Sequence, residues 1–85
     1  MKHVVFLREG TNEVSTEVIT AHRDYLDKLR TKGILYGSGP FQNIVGGLLI
    51  YNVDDLTAAE EIILNDPIIK SGCRTFEVYS WSTND

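Results

Sequence analysis

The spacing of apolar side chains changes along this chain, and the changes separate strands from helices. Short runs of β-branched and aromatic residues predict four strands, and apolar positions three and four residues apart predict two helices. In chain order the predictions are a strand over 3–8, a helix from Ser15 or Thr16 to Lys32, a strand from 34–36 into 37–40, a loop over 41–45, a strand over 48–53, a helix capped by Asp54-Asp55 and ended by Pro67, a strand over 74–81 and a frayed tail over 82–85.

The order strand, helix, strand, strand, helix, strand predicts an α+β fold. Each helix follows one strand and leads to another, as in the split β-α-β arrangement of a ferredoxin-like βαββαβ domain. Right-handed crossovers place both helices on the same face of a four-stranded antiparallel sheet. Because 85 residues are too few for two independently packed cores, residues 1–85 are predicted to form one domain.

The first and third predicted strands are apolar on both of their faces, although the helices can cover only one face of the sheet. A domain of this size buries only about 60–65% of its unfolded surface, so a second bare apolar face is poorly tolerated in water. The same face of another copy would cover it in a two-fold assembly. The sequence therefore predicts a homodimer through the uncovered sheet face.

Composition and charge exclude several classes of function. Eight basic and twelve acidic residues give a net charge of −4, which argues against binding to nucleic acid or to an anionic membrane. One cysteine and two histidines without metal-binding spacing predict neither a disulfide nor a metal site, and no cofactor is predicted. With no membrane-spanning run and no signal-peptide pattern, a soluble cytoplasmic protein is the expectation.

His22 is the main candidate for chemistry because it interrupts the apolar stripe of the first predicted helix. It is either a core histidine bonded to a backbone carbonyl or a general base, since an unperturbed histidine titrates near pH 6.5. Helices lying side by side could bring a carboxylate to one ring nitrogen. That contact would fix the tautomer of the ring and make its other nitrogen a better base.

Asp66 is the carboxylate that could reach His22. It is predicted on the inward stripe of the second helix with Leu56, Ala59 and Ile63, at the C-terminal end of that helix. A carboxylate at a helix C-terminus opposes the helix dipole, so a purely structural role there is costly. The other interpretation is a turn, because aspartate before proline favours turn formation.

Other residues are weaker candidates. Ser38 lies between Gly37 and Gly39, and these glycines would let a ligand approach the backbone closely. An oxyanion could then bind the Ser38 hydroxyl or the amides near Gly39. A bulged strand end also explains this segment. Arg8 could bind a substrate carboxylate or be solvated. His3 is predicted at a strand edge, and Cys73 as a small buried apolar residue.

The chain resembles the YciI-like (YCII-related) protein family over nearly its whole length. The resemblance rests on Ala21-His22-Arg23-Asp24-Tyr25-Leu26, the segment 33–40, Gly46-Gly47 before a strand, Asp66-Pro67 followed by Gly72, and the closing segment 76–81. It implies a dimeric α+β barrel of ferredoxin-like subunits, related to muconolactone isomerases. It also implies a site built on a histidine and an aspartate, matching His22 and Asp66. Some members of the family are dehydrochlorinases of chlorinated aromatic breakdown products.

Two features depart from the pattern of that family. A basic residue and a proline often occupy the positions where Tyr79-Ser80 stand, and the segment 41–45 carries no charge. An anionic substrate would therefore need Arg8, Arg74 or a residue from a partner subunit.

Three functions follow from these expectations. The first is a small-molecule lyase or isomerase in which His22 abstracts a proton next to a carbonyl or lactone. In it Asp66 orients the ring, and Ser38 with nearby amides stabilises the enolate. The second is a non-catalytic or regulatory dimer that binds a small metabolite in the same cleft. The third is a structural dimer in which His22 and Asp66 only satisfy each other. The first two expect a small organic ligand, with an anion as one option.

Overall fold

Four strands and three helices make up residues 1–83, the part of the chain that the computed structural model describes. In chain order they are β1 (Lys2–Glu9), α1 (Thr16–Thr31), β2 (Leu35–Pro40), β3 (Gly47–Asn52), α2 (Leu56–Leu64), α3 (Pro67–Lys70) and β4 (Arg74–Trp81). The strands form an antiparallel sheet in the order β2-β3-β1-β4. The ferredoxin-like α+β fold predicted from the order of elements is therefore confirmed.

The helices pack on one face of this sheet, the covered face. Val5 and Leu7 of β1 lie on it beside Leu49 and Tyr51 of β3, and all four are buried. The helices contribute Leu26, Leu29, Ala59, Ile63 and Ile68 to the same core. Because side chains alternate along a strand, the residues between them point to the other side of the sheet.

The other side of the sheet is the open face, and it is apolar as the sequence predicts. Its central strands carry Val4 and Phe6 on β1 and Leu48 and Ile50 on β3, all of them half-buried. Tyr79 and Trp81 of β4 extend the open face and are 53% and 43% exposed. No helix covers this surface within residues 1–83.

Both ends of α1 are set by the residues that the sequence singles out. The Ser15 hydroxyl accepts a hydrogen bond from the Val18 amide at 3.2 Å and caps the first turn. At the other end Gly33 has a φ of +77°, and the Ile34 amide donates to the Leu29 carbonyl at 2.9 Å. This left-handed glycine closes the helix and turns the chain into β2.

The second predicted helix is in fact two helices. It stops at Leu64, and Pro67 begins α3 instead of ending a helix, because the first helical turn needs no N–H donor from proline. Asp66 is therefore the N-cap of α3, a position where a carboxylate is favourable. The prediction that Asp66 opposes a helix dipole was wrong. Leu56, predicted to face inward, is exposed as the first residue of α2.

The prediction that His3 lies at a strand edge was also wrong. His3 is wholly buried, because β1 is an inner strand flanked by β3 and β4. It lies on the covered face, opposite Tyr51 on β3 and Ser80 on β4.

The boundaries of the other elements differ from the predictions by at most one residue. The second strand begins at Leu35, the third runs from Gly47 to Asn52, and residues 41–45 form the predicted loop. Ser82 and Thr83 follow β4 without regular structure, and the rest of the predicted frayed tail lies outside the described residues. Within residues 1–83, no helix has the length and apolar character needed to cross a bilayer.

Candidate active site

The fold brings His22 and Asp66 into direct contact across 44 positions of sequence. Nδ1 of His22 lies 2.8 Å from Oδ1 of Asp66 and 2.9 Å from Oδ2. Since a carboxylate can only accept hydrogen bonds, Nδ1 is the donor, and a neutral ring then has its lone pair on Nε2. The two side chains are buried, with 10% of His22 and none of Asp66 exposed.

The start of α3 holds the Asp66 carboxylate in place. Its Oδ1 also accepts a hydrogen bond from the Ile68 amide at 3.0 Å. The backbone carbonyl of Asp66 accepts from the amides of Ile69 and Lys70, at 3.0 and 3.1 Å. A carboxylate fixed by its own helix turn keeps the imidazole in one orientation, as supporting hydrogen bonds do in other histidine sites.

The negative charge of Asp66 affects the pKa values of two tyrosines. Burial raises the pKa of Tyr25 and of Tyr51 above the ordinary value for tyrosine, and the charge of Asp66 raises both pKa values further. The Tyr25 hydroxyl also donates to the Ile62 carbonyl at 2.6 Å and so joins α1 to α2. Both side chains are therefore protonated phenols at neutral pH.

A cavity of about 430 Å³ opens beside His22, a size typical of small-molecule sites, which run to roughly 300–1,000 Å³. The α1 side of the cavity is formed by Ile19, His22, Arg23, Leu26, Asp27 and Arg30. The sheet side includes Ser38, Gly39, Pro40, Gly46, Gly47 and Leu49. Because Nδ1 of His22 is engaged by Asp66, Nε2 is the ring nitrogen available to a ligand in the cavity.

The glycine pair before β3 shapes the sheet side of the cavity. Gly46 has a φ of +125°, and a Cβ atom there would collide with the carbonyl oxygen of Leu7. A Cβ on Gly47 would come within 2.7 Å of the carbonyl oxygen of Gly39. These close backbone approaches, which only glycine permits, bring the strand ends together at the cavity.

The structure places two of the three predicted ligand-binding residues at the cavity. Ser38 and Gly39 line it, and the Ser38 hydroxyl accepts a hydrogen bond from Nη2 of Arg30 at 3.4 Å. Arg8 does not line this cavity. It lies on the open face, where its Nε donates to Oε1 of Glu77 at 2.8 Å.

Arg23, Asp27 and Arg30 had no part in the site predicted from the sequence, although all three line the cavity. A helix turns by about 100° per residue, so Arg23 and Arg30 lie beside His22 on one flank of its stripe. The spacing of Arg23, Asp27 and Arg30, four and three residues apart, was the signal in the sequence that could have placed them on one side of the helix. Arg74, which also lines the cavity, shares its side of β4 with Phe76.

Comparison with known proteins places the chain in a family. The YCII-related domain matches residues 1–82. The chain belongs to the YCII-related family. A relative in that comparison, the uncharacterised protein YjpA of Bacillus subtilis (strain 168), is 31% identical over 77 residues, which are 91% of each chain. The family expected from the sequence motifs is thereby confirmed.

A solved structure shares the fold of this YCII-related protein. It is the 5-chloro-2-hydroxyhydroquinone dehydrochlorinase (TftG) of Burkholderia phenoliruptrix AC1100, in complex with 2,5-dihydroxybenzoquinone. The TM-score is 0.79 at 22% sequence identity, over 99% of this chain and 96% of that chain. At that level of identity the likeness establishes the fold.

Proposed function

We propose that this YCII-related protein is a small-molecule enzyme of lyase or isomerase type, with His22 as its general base and Asp66 as the residue that orients it. The observation that carries the proposal is the contact of Nδ1 of His22 with a buried carboxylate, while the same ring borders a cavity of about 430 Å³. A positioned base of this kind contributes about 100- to 10,000-fold to a rate.

In the proposed step, Nε2 of His22 takes a proton from a carbon next to a substrate carbonyl. The electron pair of the broken C–H bond moves toward the carbonyl oxygen and forms an enolate. The imidazolium stays paired with Asp66, as the histidine of a catalytic triad stays paired with its aspartate. Ser38 and the backbone amides near Gly39 line the same cavity and are proposed to stabilise the enolate oxygen.

Two reaction outcomes are compatible with that enolate. Return of the proton to a different carbon gives an isomer of the substrate. Departure of chloride as the enolate collapses gives a new double bond, with the proton and chloride released together as HCl. The fold shared with a dehydrochlorinase supports the second outcome, and the cavity volume suits a six-carbon ring.

The experiment is an assay of chloride release from 5-chloro-2-hydroxyhydroquinone and of isomerisation of muconolactone. We expect turnover of at least one substrate and a loss of about 100-fold or more in kcat/KM for His22→Gln. Asp24→Asn is the matched control, because Asp24 is exposed on α1 and does not line the cavity. It should retain the activity of the unmodified protein.

Two results would contradict the proposal. One is turnover that survives His22→Gln unchanged. The other is thermal stabilisation by these compounds, or no effect of them, without any product from the folded protein. Stabilisation without product would assign the cavity to non-catalytic metabolite binding, since a ligand that binds only the native state raises its stability.

We also propose that two copies of the chain pair through the open face. Support comes from its apolar groove, lined by Val4, Phe6, Leu48, Ile50, Tyr79 and Trp81. The rings of Phe6 and Tyr79 already pack edge to face, with centroids 6.0 Å apart. Two such faces stacked about a two-fold axis would remove this apolar surface from water.

Sedimentation equilibrium tests the pairing. We expect twice the mass of the chain for the unmodified protein and the mass of one chain for Ile50→Asp. Leu64→Asp is the matched control, because Leu64 is 54% exposed on α2, in the helix layer on the other side of the sheet. A monomeric unmodified protein, or a dimer that Ile50→Asp leaves intact, would contradict it.

A further inference from the structure

The cavity beside His22 is positively charged, although the chain as a whole carries a net charge of −4. Three arginines line it, Arg23, Arg30 and Arg74, against one aspartate, Asp27. The Asp66 carboxylate is not among the lining groups and is wholly buried. A cleft lined by one sign of charge concentrates ligands of the opposite sign, so this one favours an anion.

The three arginines are not equivalent. Arg30 is already compensated, because its Nη1 lies 2.7 Å from Oδ1 of Asp27. Arg23 and Arg74 have no carboxylate oxygen within 4 Å among residues 1–83. These two arginines line the cavity from different layers, Arg23 from α1 and Arg74 from the start of β4.

Arg74 is the more buried of the two and has a hydrogen bond to the backbone. It is half-buried, and its Nη1 donates to the carbonyl oxygen of Cys73 at 2.8 Å. That contact uses only one of the five N–H donors of the guanidinium group. The remaining donors of the guanidinium fork match the two oxygens of a carboxylate.

We propose that the substrate is a small organic anion whose carboxylate or acidic enol oxygens are bound by Arg23 and Arg74. This inference rests on the proposed function, because it names the substrate class for the same cavity. Arg23 and His22 line the same cavity, so an anion held by Arg23 lies in the cavity that the proposed base borders. The positive charge of both arginines also stabilises the negative charge that develops on an enolate.

The test compares benzoate with benzamide, a neutral ring of the same size, by calorimetric titration of the folded protein. We expect benzoate to bind at least about tenfold more tightly. Arg23→Gln and Arg74→Gln should each weaken benzoate binding about five- to tenfold and leave benzamide binding unchanged. Lys28→Gln is the matched control, because it removes one positive charge from α1 at an exposed position outside the cavity.

Three results would overturn the inference. They are equal affinities for benzoate and benzamide, benzoate binding that neither arginine variant weakens, and a loss in Lys28→Gln as large as in the arginine variants. Failure of the proposed function looks different, because the preference for benzoate would persist in a protein that turns over no substrate. Conversely, His22-dependent turnover with no preference for benzoate would retain the base and discard the anion site.

Discussion

His22 and His3 are both buried on the helix-covered side of the sheet, and each has a hydrogen bond to one ring nitrogen. Nδ1 of His22 donates to Asp66, and the ring borders the cavity. Nδ1 of His3 lies 3.1 Å from the hydroxyl of Ser80, while Nε2 is sealed in the core with no hydrogen-bond partner within residues 1–83. A charged partner together with open space distinguishes a candidate base from a core residue; burial alone does not.

The surroundings of His3 reinforce the contrast. Tyr51 is its register partner on β3, and the Tyr51 hydroxyl also lacks a hydrogen-bond partner in the described residues. Two unpartnered polar atoms on neighbouring strands weaken the core there, because each has lost its contact with water. Around His22, by contrast, the carboxylate oxygens of Asp66 are engaged by the ring and by the Ile68 amide.

The largest effect on stability is expected at Asp66. Asp66→Ala removes the partner of Nδ1 of His22 and the cap of the Ile68 amide, so both buried groups lose their acceptor. Because an unsatisfied buried donor costs about 1–3 kcal/mol and two are left here, we expect the free energy of unfolding to fall by about 2–5 kcal/mol in urea denaturation. Asp24→Ala, at an exposed aspartate of α1, should change it by less than about 0.5 kcal/mol. A similar small change for Asp66→Ala would show that the pair contributes no more than a surface residue.

A smaller effect is expected for Tyr51→Phe at alkaline pH. Burial, followed by the charges of Asp66 and Tyr25, raises the pKa of Tyr51 above its ordinary value of 10.0. The unfolded chain therefore loses this proton near pH 10 while the folded chain keeps it. The resulting stability is present below pH 10 and is lost as the pH rises further.

Tyr51→Phe removes this contribution. Above pH 10 the stability of the variant should fall less steeply than that of the unmodified protein, by up to about 1.4 kcal/mol per pH unit. Urea denaturation between pH 8 and pH 11 measures the two slopes, with Tyr36→Phe at an exposed tyrosine as the control. Identical slopes for Tyr51→Phe and the unmodified protein would contradict the raised pKa.

The smallest effect is expected for Ser80→Ala, which removes the hydrogen-bond partner of His3. Because Ser80 is at the exposed end of the strand, water can partly replace its hydroxyl. We expect a loss of about 0.5–1 kcal/mol in the free energy of unfolding and no change in kcat/KM. A loss of turnover would show that His3 and His22 belong to one functional unit, and would contradict the assignment of His3 as a core residue.

The fold could be predicted from sequence because its signals are local. The three-and-four spacing along α1, the cap at Ser15 and the glycine at Gly33 define that helix without reference to the rest of the chain. The apolar runs in β1 and β3 likewise define an open face. The contact between His22 and Asp66 is not local, and only the packing of α1 against α3 establishes it.

Other details could not be predicted because one sequence pattern permits two structures. Proline both ends helices and begins them, so Asp66-Pro67 alone does not say on which side of Asp66 a helix lies. For a similar reason, the sequence did not show which of Arg8 and Arg74 lies on the helix-covered face of the sheet. Alternation indicates which residues share a face, but where both faces of the central strands are apolar it does not say which face the helices cover.

The tautomer of His22, measured by long-range ¹H–¹⁵N correlation NMR at pH 8, shows whether Nε2 is the ring nitrogen that can accept a proton. With Asp66 accepting from Nδ1, we expect the proton on Nδ1, an unprotonated Nε2, and a shift of the Nε2 signal when benzoate is added. A proton on Nε2 would contradict the assignment of this ring as the base that faces the cavity, and so would an Nε2 signal that stays unmoved when calorimetry shows that benzoate is bound.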